Sequence, residues 1–179
     1  LYAYVWNNPG NWIDPLGLEL VPMGTPEEIA IIKGHLRRLQ KVSPTAKELI
    51  RRLDENDDVY VEIQLKTGGF TRYNDFADPK YIDYNDQYCN TRDPYNKEPW
   101  EFIPPELALA HELIHALHDS EGVVCLTTWE CLAPQLFTGA DERLIGLKEW
   151  PEEYKDKPFT KLTENAIRED YGIPLRPRY

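Results

Sequence analysis

The sequence predicts an α+β domain, and three observations carry that expectation. Two capped, helix-favouring stretches run from Thr25 to about Lys41 and from Ser43 to about Glu55. An alternating, β-branched run with a glycine turn follows between Val59 and Tyr73. A helical apolar pattern then returns after Pro104 and contains Ala-Leu-Ala-His-Glu-Leu-Ile-His-Ala-Leu-His over residues 108–118, an HExxH sequence.

Taken in order, residues 1–18 are aromatic, turn-rich and uncharged apart from Asp14. Tyr2, Tyr4 and Trp6 alternate like one face of a strand, while Asn-Pro-Gly and Asp-Pro-Leu-Gly are turn chemistry, so this stretch reads as the end of a larger β structure. Thr25-Pro26-Glu27-Glu28 is a capping box with proline at N1 and opens the first helix. Ser43-Pro44 opens the second, which Asn56-Asp57-Asp58 breaks. Val59 to Leu65 reads as a strand, turned by Lys66-Thr67-Gly68-Gly69 into a second strand near Phe70 to Tyr73, with a further short strand at Lys80 to Tyr84. The polar segment from Asp86 to Trp100, with two prolines, is expected to be a surface loop.

The helix around HExxH is well specified, because Pro104 and Pro105 suit a start and Gly122 a stop. His111 and His115 are four apart, so both imidazoles share one face and can reach a single metal ion. Glu112 falls at the edge of that face, where it can act as general base toward a metal-bound water. The plain alternative is an amphipathic core helix with solvated or hydrogen-bonded histidines. Zinc outweighs it, since three of the four histidines fall within eight residues while Leu107, Leu109, Leu113, Ile114 and Leu117 supply a surface to bury. A catalytic zinc takes three protein ligands, so one more is needed. His118 shares the face, but three ligands in a row on a straight helix cannot surround one ion tetrahedrally. The metzincin pattern fails too, with His at 118 where a glycine is needed and Glu at 121. A distant carboxylate is therefore expected.

Composition narrows the classes. At 179 residues the chain suits one compact domain with a short appendage. A formal net charge of −11 argues against a nucleic-acid or anionic-membrane partner. No apolar run approaches the roughly 20 residues of a membrane span, and the N-terminal stretch lacks the basic and apolar parts of a signal peptide. Cys89, Cys125 and Cys131 form no even disulfide framework and no CxxC pair. Structural or free thiols and a reducing site of action are expected, with a Cys125–Cys131 bridge the less favoured alternative.

Two resemblances add to this reading. Residues 1–18 resemble the end of the Rhs repeat-associated core, whose shell encloses a variable C-terminal toxin and ends in a DPxGL motif matched here by Asp14, Pro15, Gly17 and Leu18. The resemblance implies a boundary between Leu18 and Glu19, with the toxin domain over 19–179. His-Glu-Leu-Ile-His-Ala-Leu-His is similar to the clostridial neurotoxin light chains and to effector-type HExxH proteases carried as Rhs toxin domains. Those families continue with an acidic EExRTxG segment that supplies the third ligand. Here the corresponding run is Gly139 to Gly146, which puts the ligand on Asp141, with Glu142 beside it as an alternative because Asp is one methylene shorter than the usual Glu. A later TE(D/N) element and RxxY element are matched by Thr163-Glu164-Asn165 and Arg176-Pro-Arg-Tyr179. By resemblance, Glu164 orients a ligating histidine, with a place among the alternative ligands, and Arg176 and Tyr179 face the scissile carbonyl. The simpler account makes Glu164 and Arg168 an i,i+4 pair at a helix start and leaves Arg176 and Tyr179 in a frayed terminus.

The expectation is therefore a zincin-like metalloendopeptidase, in which a small twisted sheet precedes the HExxH helix and presents an edge strand to an extended peptide. It would hold one zinc per chain and act as a toxin, secreted by a bacterium and working in the cytoplasm of a target cell. Its partners would be a target-cell protein, the Rhs shell of its parent and a cognate immunity protein. The rival expectations are a non-catalytic effector module with a structural metal, and a zinc amidase acting on a non-protein substrate.

Overall fold

In the computed structural model, residues 20–56, 59–87, 98–101, 103–122, 143, 145–147, 149–150, 152 and 154–177 are described. The chain opens with β1 (Leu20–Met23), followed by helices α1 (Pro26–Val42) and α2 (Pro44–Asp54). Strands β2 (Val61–Leu65), β3 (Arg72–Asn74) and β4 (Lys80–Tyr84) come next, then α3 (Pro105–Ser120) and α4 (Glu164–Asp170). Single 3-10 turns lie at Pro99–Glu101 and Pro158–Lys161. This is a mixed α+β architecture with helices packed on a small sheet.

Local chemistry accounts for the helix ends. Thr25 Oγ1 accepts from the Glu28 amide at 3.3 Å and Glu28 Oε2 accepts from the Thr25 amide at 2.7 Å, a reciprocal box that satisfies two otherwise orphaned donors. Ser43 ends α1 and starts α2, its hydroxyl accepting from the Ala46 amide at 2.9 Å. Helix α3 begins with Pro105 at its first position, and the chain leaves it through Gly122 at φ +68, a left-handed conformation that glycine adopts without cost.

The sheet differs from the sequence expectation in two respects, the partner of one strand and the presence of another. Gly68 and Gly69 do form a turn with positive φ, but the strand it leads to does not return to β2. The order is β1-β2-β4-β3, with β1–β2 and β2–β4 parallel and β3–β4 antiparallel. Burial explains the sorting: β2 contributes Val61 and Ile63 and β4 contributes Ile82 and Tyr84 to the core, whereas β3 buries none of its three residues. The strands with apolar side chains take the centre, Ile63 facing Ile82 in register, and the polar one is an edge among the described residues. At the opposite edge lies β1, which sequence patterning did not reveal. Pro22 sits inside it, and proline is tolerated only where no ladder donor is needed.

Behind the sheet, Leu20, Ile32, Leu39, Leu49, Leu53, Ile63, Ile82, Leu107, Leu113 and Ile114 are fully buried and make one core. No helix among the described residues is long and apolar enough to cross a membrane.

Candidate metal-binding active site

Helix α3 runs through that core, and from Glu106 to His118 every residue is buried except His111 and Glu112. A helix apolar nearly all round is a core helix, so an opening to solvent at these two polar residues marks where chemistry can reach it. The rings of His111 and His115 lie one turn apart on one face, edge to face with centroids 5.1 Å apart.

His111 is held from outside the helix. Its Nδ1 lies 2.8 Å from Glu164 Oε2 at the start of α4. Burial alone would raise the Glu164 pKa, but the His111 hydrogen bond and charge, with Arg176 and Arg168 beside it, hold it down at about 2. Glu164 is thus a carboxylate with lone pairs only, so Nδ1 must donate, and in the neutral ring Nε2 presents its lone pair on the far edge. That is the arrangement of an orienting carboxylate; Glu164 touches the nitrogen opposite the one a metal would use. Burial works to lower the His111 pKa, yet the Glu164 bond and charge outweigh it and the net shift is upward. His115 goes the other way. Burial first, then the neighbouring His111 and His118, push it well below the usual range, so it is a neutral imidazole suited to ligation.

Glu164 has a second set of partners. Arg168, fully buried, donates Nε to Glu164 Oε1 at 2.7 Å and Nη1 to the carbonyls of Trp100 and Pro174, each at 3.0 Å. Arg176 Nη1 donates to Glu164 Oε2 at 3.1 Å. The backbone of Arg176 is clasped by Asn165, whose Oδ1 accepts its amide at 2.7 Å and whose Nδ2 donates to its carbonyl at 3.0 Å. The i,i+4 pair and the histidine contact both exist, on different oxygens of one carboxylate. Arg176 is not in a frayed end; α4 anchors it.

Glu112 faces the sheet. Its Oε2 accepts the backbone N–H of Tyr73 on β3 at 2.8 Å, and the Tyr73 phenol donates to Asp119 Oδ2 at 2.8 Å, where Lys80 also binds. His118 stands apart from this chemistry, 1% exposed and edge-on to Trp150 and Phe159 at 5.0 and 5.7 Å. Burial lowers its pKa to about 4, so it fills an aromatic pocket as a neutral ring.

Of the residues singled out in the sequence, His111, Glu112, His115, Glu164 and Arg176 are therefore gathered in one place. Asp141, Glu142 and Tyr179 lie outside the described residues, as do residues 1–18 and all three cysteines. Among the described residues no group of three His, Cys, Asp or Glu side chains could hold a metal ion. Two neutral-capable imidazoles on one face, with one locked through its other nitrogen, do fit two of the three positions a catalytic zinc needs. The sequence named Arg168 in an i,i+4 pair and Asn165 in the TE(D/N) element without a role at the site for either, and Tyr73 went unrecognised. For Arg168 the signal was present in its spacing from Glu164; for the other two no local pattern points to their partners.

Comparison with known proteins adds one finding. The family model Peptidase_M91, described as "Effector protein", matches residues 35–179, which include every site residue named above. No curated protein and no solved structure matches the chain.

Proposed function

The chain belongs to the Peptidase_M91 effector-protein family, and from that premise we propose that it is a zinc endopeptidase delivered into a target cell, where it cleaves a protein. The observation that carries the reading is the opening at His111 and Glu112 in the otherwise buried stretch of α3 from Glu106 to His118, with His111 locked by Glu164. His111 and His115 would hold the ion, with Asp141 as third ligand and Glu142 as the alternative. Bound there, zinc would supply Lewis-acid activation.

The rest is done by the chain's own groups. Glu112 takes the proton from the attacking water and returns it to the leaving amine, so one carboxylate serves both halves of the hydrolysis. Glu164 fixes the tautomer and ring plane of His111, and the His111 bond, with Arg176 and Arg168 beside it, keeps Glu164 ionised. Arg176 and Tyr179 stabilise the negative charge that develops on the scissile carbonyl oxygen. Residues 1–18 are the end of an Rhs shell that carries the toxin, with release after Leu18 and an immunity protein protecting the producer.

Two measurements test this together. Elemental analysis should find about one zinc per chain, retained in Glu112→Gln and lost in the His111→Ala/His115→Ala double variant. Proteomics of N-termini in cells expressing residues 19–179 should show new termini that are missing with Glu112→Gln. Full zinc in the double histidine variant, or identical termini and toxicity with and without Glu112, would overturn the reading and favour a structural metal in a binding module.

A further inference from the structure

Among the described residues β3 is an edge of the sheet, and its three residues pair with β4 through Arg72–Asp83, Tyr73–Ile82 and Asn74–Tyr81. Backbone groups alternate in direction along a strand, and at Tyr73 the N–H turns away from β4 and meets Glu112. The same residue is gripped a second time: its phenol reaches Asp119, seven residues after Glu112 and so about 10.5 Å further along α3. Lys80, at the start of β4, binds that Asp119 carboxylate as well. One helix thus holds both the backbone and the side-chain tip of one edge-strand residue.

A glutamate on a half-buried helix face has three side-chain torsions to settle, and a general base must be within hydrogen-bond reach of its proton in the right orientation. A backbone N–H donated to a carboxylate is a short, directional, charge-assisted bond, roughly twice as strong as a neutral one. A carboxylate has about four lone-pair sites, so one amide orients it without exhausting its accepting capacity. We propose that the Tyr73 backbone amide is the positioning group for Glu112, and that the Tyr73 phenol, Asp119 and Lys80 hold the amide in place. This rests on Glu112 being the general base. Tyr73 is then a positioning residue whose essential atom is its amide hydrogen, and side-chain replacement alone underestimates its role.

The test removes that hydrogen selectively. Tyr73 is replaced by its α-hydroxy acid, which turns the amide into an ester and keeps the phenol, and separately by Tyr73→Phe and Tyr73→Pro. Proline suits an edge strand where the N–H is outside the ladder, but its ring carbon would displace the Glu112 oxygen. The substrate is a synthetic peptide spanning the most abundant Glu112-dependent cleavage site found in the proteomic experiment. The ester and Tyr73→Pro forms should melt cooperatively and keep their zinc, with kcat down about 10- to 100-fold at nearly unchanged KM, while Tyr73→Phe loses less than about tenfold. In 15N-labelled protein the Tyr73 amide signal should move and exchange faster with solvent in Glu112→Ala. Wild-type kcat in a folded, zinc-loaded ester form, or a Tyr73 amide indifferent to Glu112, overturns this proposal alone. Absence of any Glu112-dependent cleavage by the wild type overturns the peptidase reading and this proposal with it.

Discussion

Glu164 joins two demands in one side chain, and its replacement should separate them. It accepts from His111 and Arg176 on one oxygen and from buried Arg168 on the other. Glu164→Ala would leave the Arg168 guanidinium buried without its carboxylate, a change expected to cost about 3–5 kcal/mol of stability, and would free the His111 ring, which on the proposed zinc reading weakens metal binding about 10- to 100-fold. Denaturant unfolding reads the first effect and competition with a zinc chelator the second. Glu112→Gln should leave both readouts near wild type and reduce turnover by about 10² to 10⁴, or roughly 3 to 5 kcal/mol of barrier. Gly146 is a further single-residue constraint on the same corner. It sits at φ +93, and a Cβ there would lie 2.9 Å from Oγ1 of Thr163, which caps α4 immediately before Glu164. Gly146→Ala is expected to lower stability by about 1–3 kcal/mol, measurable as a lower melting temperature.

Between elements, α2 and α4 are joined by a polar contact that acts as a shared cap. Asp170 at the end of α4 accepts from Ser43 Oγ at 2.6 Å and from the Thr45 amide at 3.0 Å, both at the start of α2. Burial works to raise the Asp170 pKa, but these donors prevail and hold it below the ordinary value. A carboxylate with a depressed folded pKa contributes stability above its unfolded pKa of about 3.9 and loses it as the pH falls through the lower folded value. Asp170→Asn, which keeps the shape and one acceptor, should therefore cost about 1 kcal/mol at pH 7. The gap between wild type and variant should close as the pH drops below the ordinary aspartate value. Denaturant titration at neutral and acidic pH decides it. The caps of α1 and α2 were legible because a capping box and a Ser-Pro step are local signals. The pairing of β3 was not legible, since a turn fixes where the chain reverses but burial decides which strand it reverses against.

At the scale of the whole molecule, the family match begins at residue 35, yet the core begins earlier. Leu20 of β1 and Ile32 of α1 are fully buried, and β1 completes an edge of the sheet. A chain starting at His35 should lose about 3–6 kcal/mol from those two side chains alone and fail to fold cooperatively, whereas one starting at Glu19 should unfold in a single thermal transition. The α+β class, the helix carrying HExxH and the spacing of His111, Glu112 and His115 could be read from the chain alone, because helical periodicity, proline starts and glycine stops act within a few residues. Glu164 could be reached only through a resemblance, since its partner His111 lies 53 positions away and no local pattern connects them. Tertiary structure alone decided that Arg168 is buried against the carbonyls of Trp100 and Pro174, that Asn165 clasps the backbone of Arg176, and that the amide of Tyr73 meets Glu112. Those contacts depend on how separate elements dock around a common core, and docking is set by the shape and burial of whole faces, which no short stretch of sequence records.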